Sequence, residues 1–178
     1  MSNHIETAIK CLKDEAQAIL DLIPQINEDF DKAVRIILEC KGKFIVTGVG
    51  KSGQGFGYLA CIGAKIAATL SSTGTPSFFI NPLDLFHGDL GVIQKNDVVL
   101  AISNSGQTDE LLRFLPYLLE NQIPVIGMSG NPESLLAKYA SAHLNAGVSR
   151  EACPLGLAPT SSTTAALALG DALACALM

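Results

Sequence analysis

Residues Val98–Glu110, VVLAISNSGQTDE, decide the fold. Val98–Ile102 is apolar throughout, without polar alternation, which is how a strand covered on both faces reads. Ser103, Ser105 and Thr108 then surround Gly106, and a helical pattern runs over about 107–120. The same order recurs along the chain. Phe44, Ile45 and Val46 form a short apolar run between Gly42 and Gly48, and similar runs stand at Ser77–Ile80, Pro124–Met128 and His143–Ala146. Helical patterns occupy about 54–70 and 133–139, and a last one runs from about 161 to the C-terminus. This alternation predicts an α/β fold with a doubly wound parallel sheet of five strands, helices on both faces.

Two amphipathic helices precede the sheet, over 4–22 and 26–40, joined near Pro24. Ile5, Ala8, Ile9, Leu12, Ala16 and Leu20 form one stripe at helical spacing. Ahead of any strand, and together with the Ala-rich 164–178 segment, that stripe predicts self-association into a dimer or tetramer. The 178 residues suffice for one domain with a full core, and 48% hydrophobic residues exclude disorder. A net charge of −5 with unclustered Lys and Arg gives no footprint for nucleic acid. The five cysteines are odd in number and lack C-x-x-C spacing, which suits a reducing compartment and carries no metal signature. Asp14, Glu15 and Asp21 break the N-terminus as a signal peptide, and the apolar runs are too short for a bilayer span. A soluble cytoplasmic protein follows as the expectation.

In a doubly wound sheet, ligands bind beyond the C-terminal ends of the strands, and the polar motifs of this chain stand there. TGVGKSG (47–53) resembles a Walker A loop, but only Val49 separates Gly48 from Gly50-Lys51 where that motif has four residues. Gly48, Gly50 and Gly53 fit the letters of a dinucleotide fingerprint, yet the next acidic residue is Asp84, far beyond the spacing a ribose needs. Ser103, Ser105 and Thr108, at a strand end and a helix start, suit a single phosphate; as an ordinary feature, Ser105 or Thr108 would cap the helix. Glu110 falls one turn into that helix. His87, in FHGDLG (86–91), is an acid/base candidate. In REACPLGLAPTSSTTAALALG (150–170), five consecutive hydroxyl residues, Thr160–Thr164, open the last helix, where an anion or a simple N-cap would fit. Glu151 follows Arg150, so a surface ion pair is its ordinary reading. Lys51 could simply be solvated. The convergence of Lys51, His87, Glu110 and Glu151 on one sheet edge favours function.

TGVGKSG, STGTPSFF, HGDLG, AISNSGQTDE and EACPLGLAPTSSTTAALALGDALA together resemble the sugar isomerase (SIS) domain of the D-arabinose-5-phosphate isomerases, from about Gly42 to the C-terminus. The resemblance implies a flavodoxin-like three-layer αβα sandwich, one SIS domain over 1–178 with its helical part at 1–40 and its core at 41–178. It implies interconversion of D-ribulose 5-phosphate and D-arabinose 5-phosphate through a cis-enediolate, without metal or other cofactor, supplying 3-deoxy-octulosonate for lipopolysaccharide or capsule. Such a reaction needs a carboxylate base raised toward neutrality, a proton carrier for the oxygens and a positive charge near the enediolate. By motif position, Lys51, His87, Glu110 and Glu151 match the catalytic residues, with Glu151 or Glu110 as base, His87 in ring opening or proton shuttling and Lys51 at the substrate oxygens. Gly50, Ser52, Ser103, Asn104, Ser105, Thr108, Thr160 and Ser161 match the substrate-binding set. The family also implies a homo-oligomer with shared active sites.

Three departures accompany the resemblance. Gln54–Cys61 insert roughly seven residues after Lys-Ser-Gly, enough for about two helical turns or a looped-out segment that displaces Lys51. Met178 precedes the family's S-H-P-G-G segment, whose His enters a neighbouring active site. The tandem CBS domains that often follow are also absent from this sequence. The competing readings are a non-catalytic phosphosugar-binding sensor module and another sugar-phosphate isomerase such as 6-phospho-3-hexuloisomerase; HGDLG argues against the latter.

Overall fold

The computed structural model describes residues 3–48, 58–86 and 89–178. Its centre is a five-stranded sheet in the order β2-β1-β3-β4-β5, formed by β1 (Phe44–Gly48), β2 (Ser77–Ile80), β3 (Val98–Ile102), β4 (Val125–Ser129) and β5 (Ala142–Asn145). Every pairing is parallel, with Phe44 opposite both Ser77 and Val98. The order reverses between β1 and β3, which makes that crevice the topological switch point of a flavodoxin-like sheet.

The apolar runs became central strands because both of their faces are covered. β1, β3 and β4 are buried at every position. Side chains alternate across the sheet, so Phe44, Val46, Leu100 and Ile102 enter one core while Ile45, Val99 and Ala101 enter the other. The first core is closed by α2 (Glu28–Glu39), α3 (Tyr58–Ser72) and α7 (Ser161–Ala176). The second is closed by α5 (Asp109–Glu120), the short α6 (Leu135–Tyr139) and the one-turn α4 (Pro82–Phe86). This is the three-layer αβα sandwich. β4 and β5 are each displaced by one residue from their apolar runs, to 125–129 and 142–145.

NPLDLFHGDLG is not one loop. Asn81 accepts the Leu83 amide with its side chain and starts α4, and a 3₁₀ turn covers Asp89–Val92. Of the inserted stretch, Tyr58–Cys61 open α3, and 54–57 lie outside the described residues.

The N-terminal helix α1 (His4–Leu20) is capped by the Asn3 side chain, which accepts the Ile5 and Glu6 amides. It lies along α7 with Ala18 buried and Cys11, Asp14 and Glu15 half-buried. The apolar stripe takes no part in this packing: Ile5 is 71% exposed and Leu12 70% exposed. α1 is held instead by polar contacts. The Thr164 hydroxyl donates to Glu15 Oε2 (3.0 Å), and Arg150 Nη2 donates to Asp14 Oδ1 (2.6 Å).

Candidate active site

The loops after β3, β4 and β5 meet at one edge of the sheet because glycines let their backbones approach. The Gly130 amide donates to the Asn104 carbonyl (2.9 Å), and a Cβ on Gly130 would lie 3.0 Å from Asn104 Oδ1. A Cβ on Gly147 would lie 2.9 Å from the Gly130 carbonyl oxygen. Above this contact a small cleft opens among Leu59, Ile102, Asn104, Ser129, Gly130 and Ser162, joining the ends of β3 and β4 to the starts of α3 and α7.

The Ser103 loop borders the cleft. Gly106 has φ +62°, a left-handed conformation that suits glycine, and a Cβ there would meet Ser134 Oγ at 2.1 Å. Ser134 caps α6 through the Ala137 amide, so α6 braces the loop from behind. Buried Ser103 accepts the Gly106 amide (3.0 Å), and its hydroxyl bonds that of Thr108 (2.7 Å). Ser105 is exposed and accepts the Gln107 amide. The alternative of a simple cap fails here: Thr108 stands at the N-cap position of α5, but its side chain makes no capping bond because it faces Ser103. The three hydroxyls therefore surround an open helix start. Asn104 is exposed above them. Glu110 is half-buried at the second position of α5, less than a turn into the helix, because α5 begins at Asp109.

The α7 start is arranged differently. Glu151 Oε2 accepts the Thr160 amide (2.8 Å), the Thr160 hydroxyl (3.2 Å) and the Ser162 amide (3.2 Å), and Oε1 accepts the Ser162 hydroxyl. The anion at this helix end is the chain's own carboxylate. Thr160 is the N-cap by position without a capping bond of its own; its hydroxyl also accepts the Cys153 amide. Thr160 thus serves Glu151 rather than an added ligand. Ser161, read as substrate-binding, is fully buried, and so is Ser103. The surface ion pair between Arg150 and Glu151 is likewise not formed: Arg150 pairs with Asp14 across to α1.

Burial raises the Glu151 carboxyl, but the bonds from Ser162 and Thr160 together outweigh it and hold the group below its ordinary range. The expectation of a base raised toward neutrality is not met by Glu151 in this state. Glu110 and Glu151 reach the sheet edge from opposite faces, on α5 and ahead of α7, and no hydrogen bond joins them among the described residues. Lys51, His87, Gly50 and Ser52 lie outside the described residues. Ser162, which lines the cleft and bonds Glu151, is not singled out by the sequence. Its neighbours in Thr160–Thr164 carry the same chemistry, and only the position of Glu151 relative to the first turn of α7 separates it from them.

Among the described residues, no group of three or more His, Cys, Asp or Glu side chains is arranged to hold a metal ion, and no helix is long and apolar enough to cross a membrane.

The SIS domain family model matches residues 37–176. The chain is 52% identical over 174 residues to the arabinose 5-phosphate isomerase KdsD of Pseudomonas aeruginosa, covering 98% of this chain and 51% of that protein. It is 49% identical over 181 residues to the arabinose 5-phosphate isomerase KdsD of Francisella tularensis, covering all of this chain and 53% of the relative. The chain thus spans about half the length of these curated relatives. Among solved structures, an E. coli protein in complex with arabinose 5-phosphate superposes with a TM-score of 0.90 at 37% identity, over 99% of this chain and 92% of that one. The 2-1-3-4-5 sheet, the hydroxyl loop at its switch point and the family model agree, and the chain belongs to the SIS domain family.

Proposed function

We propose that this chain is the isomerase domain of an enzyme interconverting D-ribulose 5-phosphate and D-arabinose 5-phosphate. The observation that carries the reading is the meeting, at one sheet edge, of an open hydroxyl loop and a carboxylate held ionised. The named relatives supply the substrate. The phosphate belongs on Ser103, Ser105 and Thr108, where a helix start has hydroxyls and, although Asp109 and Glu110 stand in its first turn, no side-chain cap. Glu151 is the base: Ser162, one of its donors, lines the cleft, and no comparable contact brings Glu110 there.

The chemistry is a proton transfer between neighbouring carbons. Glu151 takes the proton from C2 of the aldose, the electron pair forms the enediolate, and the same carboxylic acid returns the proton to C1. A proton moves from O2 to O1 in the same sense, which is the role assigned to His87, and Lys51 offsets the charge on the enediolate oxygens. A base held below its ordinary range is fully ionised at neutral pH and ready to accept, while the closed, substrate-filled cleft must bring its basicity up by excluding water.

The domain is a single SIS unit that functions as a homo-oligomer in the cytoplasm, supplying precursor for lipopolysaccharide. A second copy is the partner proposed for α1, because Ile5, Ile9, Leu12 and Leu20 form an exposed apolar face on it. Leu12→Glu is expected to convert the oligomer to a slower-assembling or monomeric species in sedimentation; an unchanged profile places the interface elsewhere. The activity itself is tested by adding ribulose 5-phosphate in D₂O and following deuterium entry and arabinose 5-phosphate by NMR. Tight phosphosugar binding with no exchange would replace the enzyme with a binding module.

A further inference from the structure

Ser162 differs from the other hydroxyls of Thr160–Thr164 in what it does. It is 5% exposed, lines the cleft, and gives both its amide and its hydroxyl to Glu151. The bonds are divided unequally. Oε2 receives three and Oε1 receives one. A carboxylate offers about four lone-pair sites over its two oxygens, so Oε2 is saturated and Oε1 keeps one site open. The Thr160 hydroxyl adds no freedom, since it donates to Glu151 and accepts from Cys153.

We infer that Ser162, assisted by Thr160, is a positioning residue that locks the Glu151 carboxylate at both oxygens, with its hydroxyl on Oε1 and its amide beside the Thr160 donors on Oε2, and leaves the remaining site of Oε1 as the one able to exchange a proton with substrate. This rests on the isomerase reading for its catalytic consequence, but the locking itself does not. The charged groups on the elements around Glu151 are already engaged. On α1, Lys10 and Asp14 pair, and Asp14 also holds Arg150; Glu15 accepts from Thr164. Between α3 and α7, Lys65 pairs with Asp171. Among the described residues, the amides and hydroxyls of Thr160 and Ser162 are therefore the groups that set the state of Glu151.

The test follows the Glu151 carboxyl directly, by ¹³C NMR of the glutamate-labelled chain, with its resonance identified through its loss in Glu151→Gln. Losing a hydrogen bond to a charged group should raise the Glu151 midpoint by about one pH unit or more in Ser162→Ala. Ser162→Thr, which keeps the hydroxyl, should restore it. Thr160→Val, which keeps the backbone donor, should give a smaller rise. In the exchange assay, the acid limb of the pH–rate profile should move upward with the midpoint in Ser162→Ala. An unmoved Glu151 midpoint in a folded Ser162→Ala chain overturns the inference, as does an acid limb that ignores a midpoint that has moved. If Ser162→Ala does not fold, the Thr160→Val midpoint decides in its place. A parent chain without exchange overturns the isomerase reading instead, and the carboxyl titration then decides the role of Ser162 by itself.

Discussion

The loop after β3 and the loop before α7 read alike: each places Ser and Thr ahead of a helix at the same sheet edge. They fold to opposite ends. At α7 the helix start is already filled, because Glu151 supplies the negative charge and Thr160 and Ser162 face it. At α5 the hydroxyls of Ser103 and Thr108 bond each other and the helix has no side-chain cap. A positive helix end attracts an anion in either case; the difference is whether the chain provides it. This separates two roles that share one residue composition. In the proposed reaction the filled end would hold the reacting group, and the open end would receive the phosphate.

Exchanging the reacting group is the strongest way to break that division. Glu151→Gln should slow exchange at the substrate carbon by roughly 10²–10⁴-fold while phosphosugar affinity is largely kept. A variant with normal exchange and lost affinity would reverse the roles of the two loops, and Glu110→Gln, measured in parallel, would then be the slow variant if α5 carries the base.

The division could be glimpsed in the sequence only in part. The five strands were legible as short apolar runs bounded by turn residues; those of β1, β3 and β4 are buried at every position, and those of the edge strands β2 and β5 only in part. The α1 stripe was visible because Ile5 and Leu12 are periodic, and it stays exposed; what could not be read is the opposite face, where Glu15 and Asp14 reach residues 149 and 136 positions away. The capping of α7 by Glu151 spans nine residues of irregular chain to Thr160. No helical or strand period connects those positions, so spacing could not pair them. Arg150, adjacent in sequence, offered a partner that the fold sends elsewhere. α4 was hidden because its one turn is too short to show a period.

Removing hydroxyls sharpens the comparison at a smaller scale. Ser105→Ala should weaken phosphosugar binding by about 1–3 kcal/mol in calorimetry, the range for a charge-assisted bond. Ser103→Ala should do the same and also leave the Gly106 amide without its acceptor. Thr160→Val should leave phosphate affinity unchanged. Equal losses from both loops would mean that the anion spans them. Gly106→Ala tests the brace behind the open loop: the left-handed backbone and the 2.1 Å approach to Ser134 Oγ should lower stability by about 1–3 kcal/mol in denaturant unfolding. A neutral result would show that Ser134 and α6 move aside without cost.

The smallest expected effect is a pH dependence that only the filled helix end should possess. Glu151 is held below the ordinary glutamate range by Ser162 and Thr160 against the opposing effect of burial. In the unfolded chain those donors are gone, so the unfolded state binds its proton at higher pH than the folded state. The contribution of Glu151 to stability is therefore complete above the ordinary glutamate value and is lost as pH falls through the depressed folded value. Because the carboxylate is partly open to solvent, the slope should be modest. Measured as the difference between the parent and Glu151→Gln in urea midpoints from about pH 7 down to about pH 3, a range that brackets the ordinary glutamate value, the parent's advantage should shrink on acidification. The pair Ser105 and Ser105→Ala should show no such trend, since Ser105 bonds the Gln107 amide and not a carboxylate. A difference between parent and Glu151→Gln that stays constant with pH would mean that the four bonds at α7 do not favour the charged form, and the contrast between the two loops would then rest on geometry alone.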